Sequence, residues 1–274
     1  GEGGGPRHDG RRHRDPFRHG PLTVPTMPTF GVILAAAGQS SRFEDANYKK
    51  PFAPLAGRPV WLHSAEKFTD RADVKRVVVV VAPEDRAAFV EKFGASLAFM
   101  GITLAEGGSH RADSVRRGLE KLGDDVDMIA IHDAARPCIA TVWIDRVFAE
   151  GARTGAAILA TPVVSTLKRV GPDRVVTDTV DRSGLWEAQT PQVFARDLLS
   201  RAFATAAASG AEPTDESQLV EALGHEVTVV AGSPMNIKIT SREDLRIAEQ
   251  MLKALPKPRL DGPAHPFAGD DVWR

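Results

Sequence analysis

The 274 residues include 35 basic and 36 acidic side chains, a formal net charge of -1, and 42% hydrophobic residues. That near neutrality leaves no overall field to recruit nucleic acid or an anionic membrane, so any anion site must be local. A single cysteine, Cys138, excludes an intrachain disulfide and a thiolate metal cluster; it reads as a small buried residue and suits a reducing, cytoplasmic setting.

The first 28 residues, rich in arginine, histidine and glycine, hold no apolar segment of the secretory kind and read as a disordered tail, with Met27 as a candidate start. No apolar run approaches the roughly 20 residues of a membrane helix, so a soluble protein is expected. Gly31 to Ala36 then reads as a buried strand, followed at once by small residues, Gly38, and the basic residues Arg42, Lys49 and Lys50. This is the layout of a phosphate-binding loop: Ala35, Ala36 and Ala37 leave backbone N–H groups free to close on an anion, and Gly38 permits a turn that other residues resist. Its spacing is not that of a Walker A loop, and it lacks the three glycines of a dinucleotide fingerprint.

Beyond the loop, Val60, Trp61, Ser64, Ala65 and Phe68 have helical spacing, and Lys75 to Ala82 is an almost unbroken valine strand. A strand apolar on both faces belongs inside a parallel sheet covered by helices on each side. The alternation continues with a helix near 83–93, a strand near 98–104, a helix over 111–122 and a strand over 126–132, which predicts a three-layer α/β sheet. In such sheets ligands bind beyond the carboxyl ends of the strands. The residues found there are AAAGQSSR, EGGSHRADS and HDAARP.

In EGGSHRADS, Gly107 and Gly108 can let the backbone approach a flat base, with donors from Arg111 and Ser114, or the segment is a plain glycine turn with an exposed arginine. In HDAARP, Asp133 can hold a divalent cation or cap the next helix, and Arg136 can brace the turn or meet phosphate. His132 reads as a structural histidine. Gly155 to Thr161 is a further strand, and VSTLKRV and RVVTDTV flank a turn at Gly171, Pro172 and Asp173 as an extended hairpin. An isolated hairpin is marginal in water, so the arm is expected to pack on the body or on another subunit. For Arg182, Trp186 and Thr190, where the arm returns, the default roles are surface pair, core filler and turn hydroxyl. Helices follow near 196–207 and 215–223, the second with Thr214 as candidate N-cap, then a strand over 226–231. Lys238 is a solvated lysine or a phosphate ligand, and Ser241 with Asp244 forms a capping-box variant opening a last helix. From Leu255 the chain is proline-rich and reads as a loose tail. The expected organisation is a domain over 29–254, with the arm at about 162–188, between the two tails.

The segments LAAAGQSSRF, GGSHRADSVRRGL, HDAARP, TVDRSGLWEAQTPQVF, TDESQLVEALG and GSPMNIKITSREDL together resemble the 2-C-methyl-D-erythritol 4-phosphate cytidylyltransferases of the non-mevalonate isoprenoid pathway. The resemblance runs from Val32 to about Leu252. It implies a Rossmann-like nucleotidyltransferase fold, a homodimer joined through the β-arm, and Mg2+-dependent cytidylyl transfer from CTP with release of pyrophosphate. Carried over by position, it implies that Ala36, Ala37 and Gly38 approach the CTP phosphates and that Gly108 and Ser114 lie near the base. Arg42 and a loop lysine would stabilise the transition state. Spacing from the arginine points to Lys49 and spacing to Phe52 points to Lys50, of which Lys50 is preferred. Asp133 would hold Mg2+, Lys238 would contact phosphate, and Arg136, Thr166, Arg182 and Thr190 would form the methylerythritol phosphate site, with Thr166 and Arg182 reaching a partner's site from the arm. The chain departs from many family members at Ser40, Ser109 and Ser165, where a glycine and two acids are usual. A ribitol 5-phosphate cytidylyltransferase and a non-catalytic nucleotide-binding protein of the same fold are the competing readings.

Overall fold

The computed structural model describes residues 1, 27–38, 52–209 and 213–256. Residues 2–26, the tail from 257 onward, and Arg42, Lys49 and Lys50 lie outside the described residues, and with them the expectations made for those segments.

The first strand, β1 (Phe30–Ala35), is followed by a two-residue pair, β2 (Pro54–Leu55) and β3 (Arg58–Pro59), and by α1 (Val60–Thr69). The five residues whose spacing predicts this helix are the five it buries. The valine run forms β4 (Val74–Val81), then a 3-10 turn at Pro83–Asp85 leads into α2 (Arg86–Phe99). Here the sequence reading is corrected: Ala98 and Phe99, expected to open a strand, extend the helix, and β5 is the shorter Thr103–Glu106. Nothing in Ala95 to Phe99 breaks a helix; the break comes at Gly101, whose φ of 63° suits only glycine comfortably.

The chain continues through α3 (Arg111–Lys121), β6 (Met128–Asp133), α4 (Thr141–Thr154) and β7 (Ala156–Pro162). The sequence reading passed over α4, although Trp143, Ile144, Val147 and Phe148, all buried, recur at helical spacing. The arm is β8 (Leu167–Val170) and β9 (Val176–Val180), a separate antiparallel pair, and the chain returns along β10 (Trp186–Ala195). Next come α5 (Arg196–Ser209), α6 (Glu216–Glu221), β11 (Thr228–Ala231) and α7 (Arg242–Ala254). Asp215, not Thr214, caps α6, its carboxylate accepting the Gln218 N–H at 3.1 Å. The Ser241/Asp244 capping box of α7 is present in both directions.

Seven strands form the main sheet in the order β11-β7-β10-β6-β1-β4-β5. All pairings are parallel except those of β10, which runs antiparallel to both β6 and β7. The arm explains the exception. A chain that leaves along β7 and doubles back through a hairpin must re-enter the sheet in the opposite direction.

Alternation along the central strands divides the core. Val77, Val79 and Val81 face a cluster with Trp61, Phe68, Phe89 and Phe148 of α1, α2 and α4. Val78 and Val80 face Val115, Leu119, Leu199 and Phe203 of α3 and α5. That is the three-layer α/β arrangement the uninterrupted valines require, since each face of the strand has its own apolar layer to meet. No helix among the described residues is long and apolar enough to cross a membrane.

Candidate active site

After β1 the chain moves outward to β4 and β5, then crosses to β6 on the other side of β1. The carboxyl ends of β1 and β6 therefore flank a topological switch point, where an open α/β sheet leaves a crevice. The register puts Ala35 directly across from Asp133 there. A cleft of about 610 Å³ opens at this edge, lined by Ala36, Ala37, Gly38, Gly108, Ser114, Asp133 and Lys238 together with Ser109, His110, Arg111 and Thr240.

The loop after β5 forms one wall. Gly107 donates its N–H to the Val81 carbonyl at 2.7 Å, and its own carbonyl accepts from Arg117 at 2.8 Å. A Cβ on Gly107 would lie 2.6 Å from the Ala37 Cβ and 2.7 Å from Ser114 Oγ, so glycine is required there for the two loops to close on each other. Ser114 spends its hydroxyl locally, accepting the Gly108 N–H and donating to the His110 carbonyl, each at 3.1 Å. It shapes the loop beside the cleft.

Asp133 forms the floor and is 6% exposed. Lys238 Nζ stands 2.7 Å from its Oδ2, Arg111 Nη2 3.3 Å from its Oδ1, and Arg136 Nε 3.7 Å from Oδ2. Burial alone would push this carboxyl up; the charge of Arg111, then those of Lys238 and Arg136, overcomes it and holds Asp133 well below the usual carboxylate range. Arg111 is not the exposed arginine of the plain-turn reading. Its Nη1 donates to both oxygens of the buried Glu216 at 2.6 Å, and Glu216 ahead of Asp133 holds its pKa up against burial.

Beneath Asp133 lies a directional chain of hydrogen bonds. The Asp133 N–H donates to Thr190 Oγ1 at 3.0 Å, Thr190 meets His132 Nδ1 at 3.0 Å, and His132 Nε2 meets the Arg136 carbonyl at 3.1 Å. A carbonyl can only accept, so Nε2 carries the proton, Nδ1 offers its lone pair, and the Thr190 hydroxyl donates to it. Burial lowers the His132 pKa to about 4, which keeps the ring neutral and structural. Arg136 donates to the Asn236 carbonyl at 2.8 Å, and Asn236 Nδ2 donates to the Thr190 carbonyl at 2.9 Å. The Ile239 N–H on the Ala135 carbonyl at 2.8 Å ties the Lys238 segment to the same turn.

Seven of the site residues that the family resemblance implies, Ala36, Ala37, Gly38, Gly108, Ser114, Asp133 and Lys238, thus line one cleft, and Arg136 and Thr190 lie under its floor. Thr166 and Arg182 do not line it; both are exposed on the arm, where Arg182 donates to the Val164 carbonyl. Trp186 is no core filler, being 46% exposed at the base of the arm, and Val164, Val170, Val175 and Val176 are exposed along it. Glu216, Asn236 and Gln189, whose Oε1 accepts from Asn236 Nδ2 at 3.2 Å, support the site and are not among the residues expected from the sequence. Their only signal was membership in TDES, QTPQ and NIKIT, segments whose individual polar residues say nothing about which of them turn inward.

A mostly parallel sheet with a small-residue loop at its switch point, facing a carboxylate ringed by cations, defines a Rossmann-like α/β protein whose crevice lies at the carboxyl ends of its strands. Residues 30–254 match the family model for 2-C-methyl-D-erythritol 4-phosphate cytidylyltransferase. A relative of that description from Rhodopirellula baltica is 43% identical over 232 residues, covering 81% of this chain and 93% of the relative. A chloroplastic one from Oryza sativa subsp. japonica is 37% identical, covering 81% of this chain and 73% of the relative. The crystal structure of the Thermus thermophilus protein of the same description superposes with a TM-score of 0.68 at 32% identity, covering 83% of this chain and 100% of that one. The chain belongs to the 2-C-methyl-D-erythritol 4-phosphate cytidylyltransferase family.

Proposed function

We propose that this chain transfers a cytidylyl group from CTP to 2-C-methyl-D-erythritol 4-phosphate, releasing pyrophosphate. What carries the reading, beside family membership, is the open loop Ala36–Gly38 facing Asp133 and Lys238 across one cleft. The acceptor phosphate is already an anionic nucleophile, so no general base is needed. Its oxygen bonds to the α-phosphorus as the bond to the bridging oxygen of the β-phosphate breaks, and the electron pair leaves with pyrophosphate. Catalysis is then a matter of alignment and of positive charge placed where negative charge grows.

In this reading the backbone of Ala36, Ala37 and Gly38 receives the triphosphate, and Gly108 with the Ser114-braced loop frames the base. Lys238, its side chain 41% exposed, exchanges Asp133 for a phosphate oxygen. Arg42 and Lys50 supply charge from the loop. Arg136 and Thr190 support the acceptor side, and Thr166 with Arg182 contribute from the arm of a partner. The exposed valines and Trp186 of the arm are the surface through which a homodimer forms. The donor set suits Mg2+: among the described residues Asp133 is the carboxylate that lines the cleft, and Mg2+ is commonly held by one or two carboxylates with substrate phosphates and water. Magnesium bound by Asp133 would neutralise charge on the triphosphate.

The test is pyrophosphate release with CTP and Mg2+, comparing methylerythritol phosphate with ribitol 5-phosphate. Release with the first alone, reduced roughly hundredfold or more in Asp133→Asn and Lys238→Ala, is the expected result. Release with ribitol phosphate alone, or with neither, would overturn the assignment.

A further inference from the structure

Of the cations around Asp133, Lys238 can withdraw, because its ammonium sits on a flexible, partly exposed stem. Arg111 cannot withdraw so freely. Its side chain is 28% exposed and its guanidinium lies between two carboxylates, both of which it could grip bidentately. The division is unequal: the 2.6 Å contacts go to Glu216, while Asp133 receives one at 3.3 Å.

Glu216 is itself fixed. It is 1% exposed and opens α6, whose cap residue Asp215 accepts from Gln192 Nε2 at 2.8 Å while the Ser217 N–H donates to Gln192 Oε1 at 3.2 Å. Gln192 lies on β10 opposite Ile131 of β6, the strand that ends in Asp133. The start of α6 is therefore latched to the strand pair beneath the cleft, and the distance of Glu216 from Arg111 is set by the sheet.

We propose that Glu216 is a positioning residue for the reaction: by holding Arg111, 105 residues away in sequence, it limits that guanidinium to one 3.3 Å contact with Asp133 Oδ1 and leaves the rest of the carboxylate to the divalent cation that accompanies the triphosphate. The inference rests on the proposed function. Without the Glu216 charge, Arg111 turns onto Asp133 and forms a bidentate pair that competes with the metal. One close charge commonly changes a neighbouring ionic equilibrium by about tenfold or more, so Glu216→Gln should raise the Mn2+ concentration that half-saturates CTP binding roughly tenfold.

Equilibrium dialysis of labelled CTP against Mn2+, with no acceptor present, reads this without turnover. If Glu216 acts through Arg111, the double variant Arg111→Gln/Glu216→Gln no longer has that guanidinium to turn onto Asp133, Lys238 and Arg136 staying as in the wild-type chain, and its midpoint falls below that of Glu216→Gln, back toward the wild-type value. An unmoved midpoint in Glu216→Gln overturns the proposal, as does a midpoint raised equally in the double variant, which is the result of a merely structural role for α6. Should Glu216→Gln alone fail to fold, the double variant still decides, because both buried charges are gone together and a raised midpoint contradicts the argument. Failure of the wild-type chain to bind CTP with Mn2+ would overturn the functional reading itself, and this proposal with it.

Discussion

Acidification should cost this fold stability through His132 before it reaches Asp133. The ring is fully buried with both nitrogens committed, Nδ1 as acceptor from Thr190 and Nε2 as donor to the Arg136 carbonyl. Protonating Nδ1 would turn that acceptor into a donor facing a hydroxyl already receiving the Asp133 N–H, and would place a charge in the core. Burial accordingly lowers its pKa from 6.5 to about 4. The unfolded chain takes up a proton that the folded chain refuses, so this contribution is complete above about pH 6.5 and is lost as pH falls toward 4, worth about 3 kcal/mol in all. Asp133, held low by its cations, gives its contribution up only in more acidic solution. His63, half-buried and also lowered chiefly by burial, titrates in the same sense, so a reference variant is needed. In His132→Gln the amide can still donate to the Arg136 carbonyl but does not titrate. Urea unfolding should show the wild-type chain losing about 2 kcal/mol more than His132→Gln between about pH 7 and about pH 5. Curves for the two proteins that stay parallel to within about 0.3 kcal/mol would refute the assignment of a neutral, hydrogen-bonded His132.

Three further outcomes follow from the same geometry. Thr190→Val leaves the Asp133 N–H and His132 Nδ1 without partners in a buried place, and should destabilise the fold by about 2–4 kcal/mol in urea titrations while disturbing the aspartate turn. Gly107→Ala forces a Cβ against Ala37 and Ser114, so it should weaken CTP binding by about tenfold or more in calorimetry and cost about 1–3 kcal/mol of stability. Cys138 is fully buried, its thiol pushed up to about 12 by burial, and should resist alkylation at neutral pH until the protein is unfolded in denaturant, as mass spectrometry would read.

The layers of this protein were legible in its sequence because they follow from local spacing. Val77 to Val81 cannot leave either face in water, and the helical recurrence of Val60, Trp61, Ser64, Ala65 and Phe68 names the buried stripe of α1. Boundaries were less legible where no breaker marks them: α2 ran on through Ala98 and Phe99 to Gly101. In α4 the buried stripe Trp143, Ile144, Val147 and Phe148 carries the same local signal. The direction of β10 had no local signal, since a strand looks the same read against either neighbour and only the arm's reversal decides it.

Residue type and position after a strand sufficed to mark Ala36, Gly38, Gly108 and Asp133 as candidates, because in a parallel sheet the strand ends converge on one edge; Lys238, seven residues beyond β11, has no such mark. Which polar group would meet which was decided by tertiary structure alone. Arg111 and Glu216, Asp133 and Thr190, and Arg136 and Asn236 are joined across 105, 57 and 100 residues. A charge or hydroxyl carries no sequence mark of its distant partner. Its energy depends on separation and burial, and both are set only when the sheet has brought the strands into register.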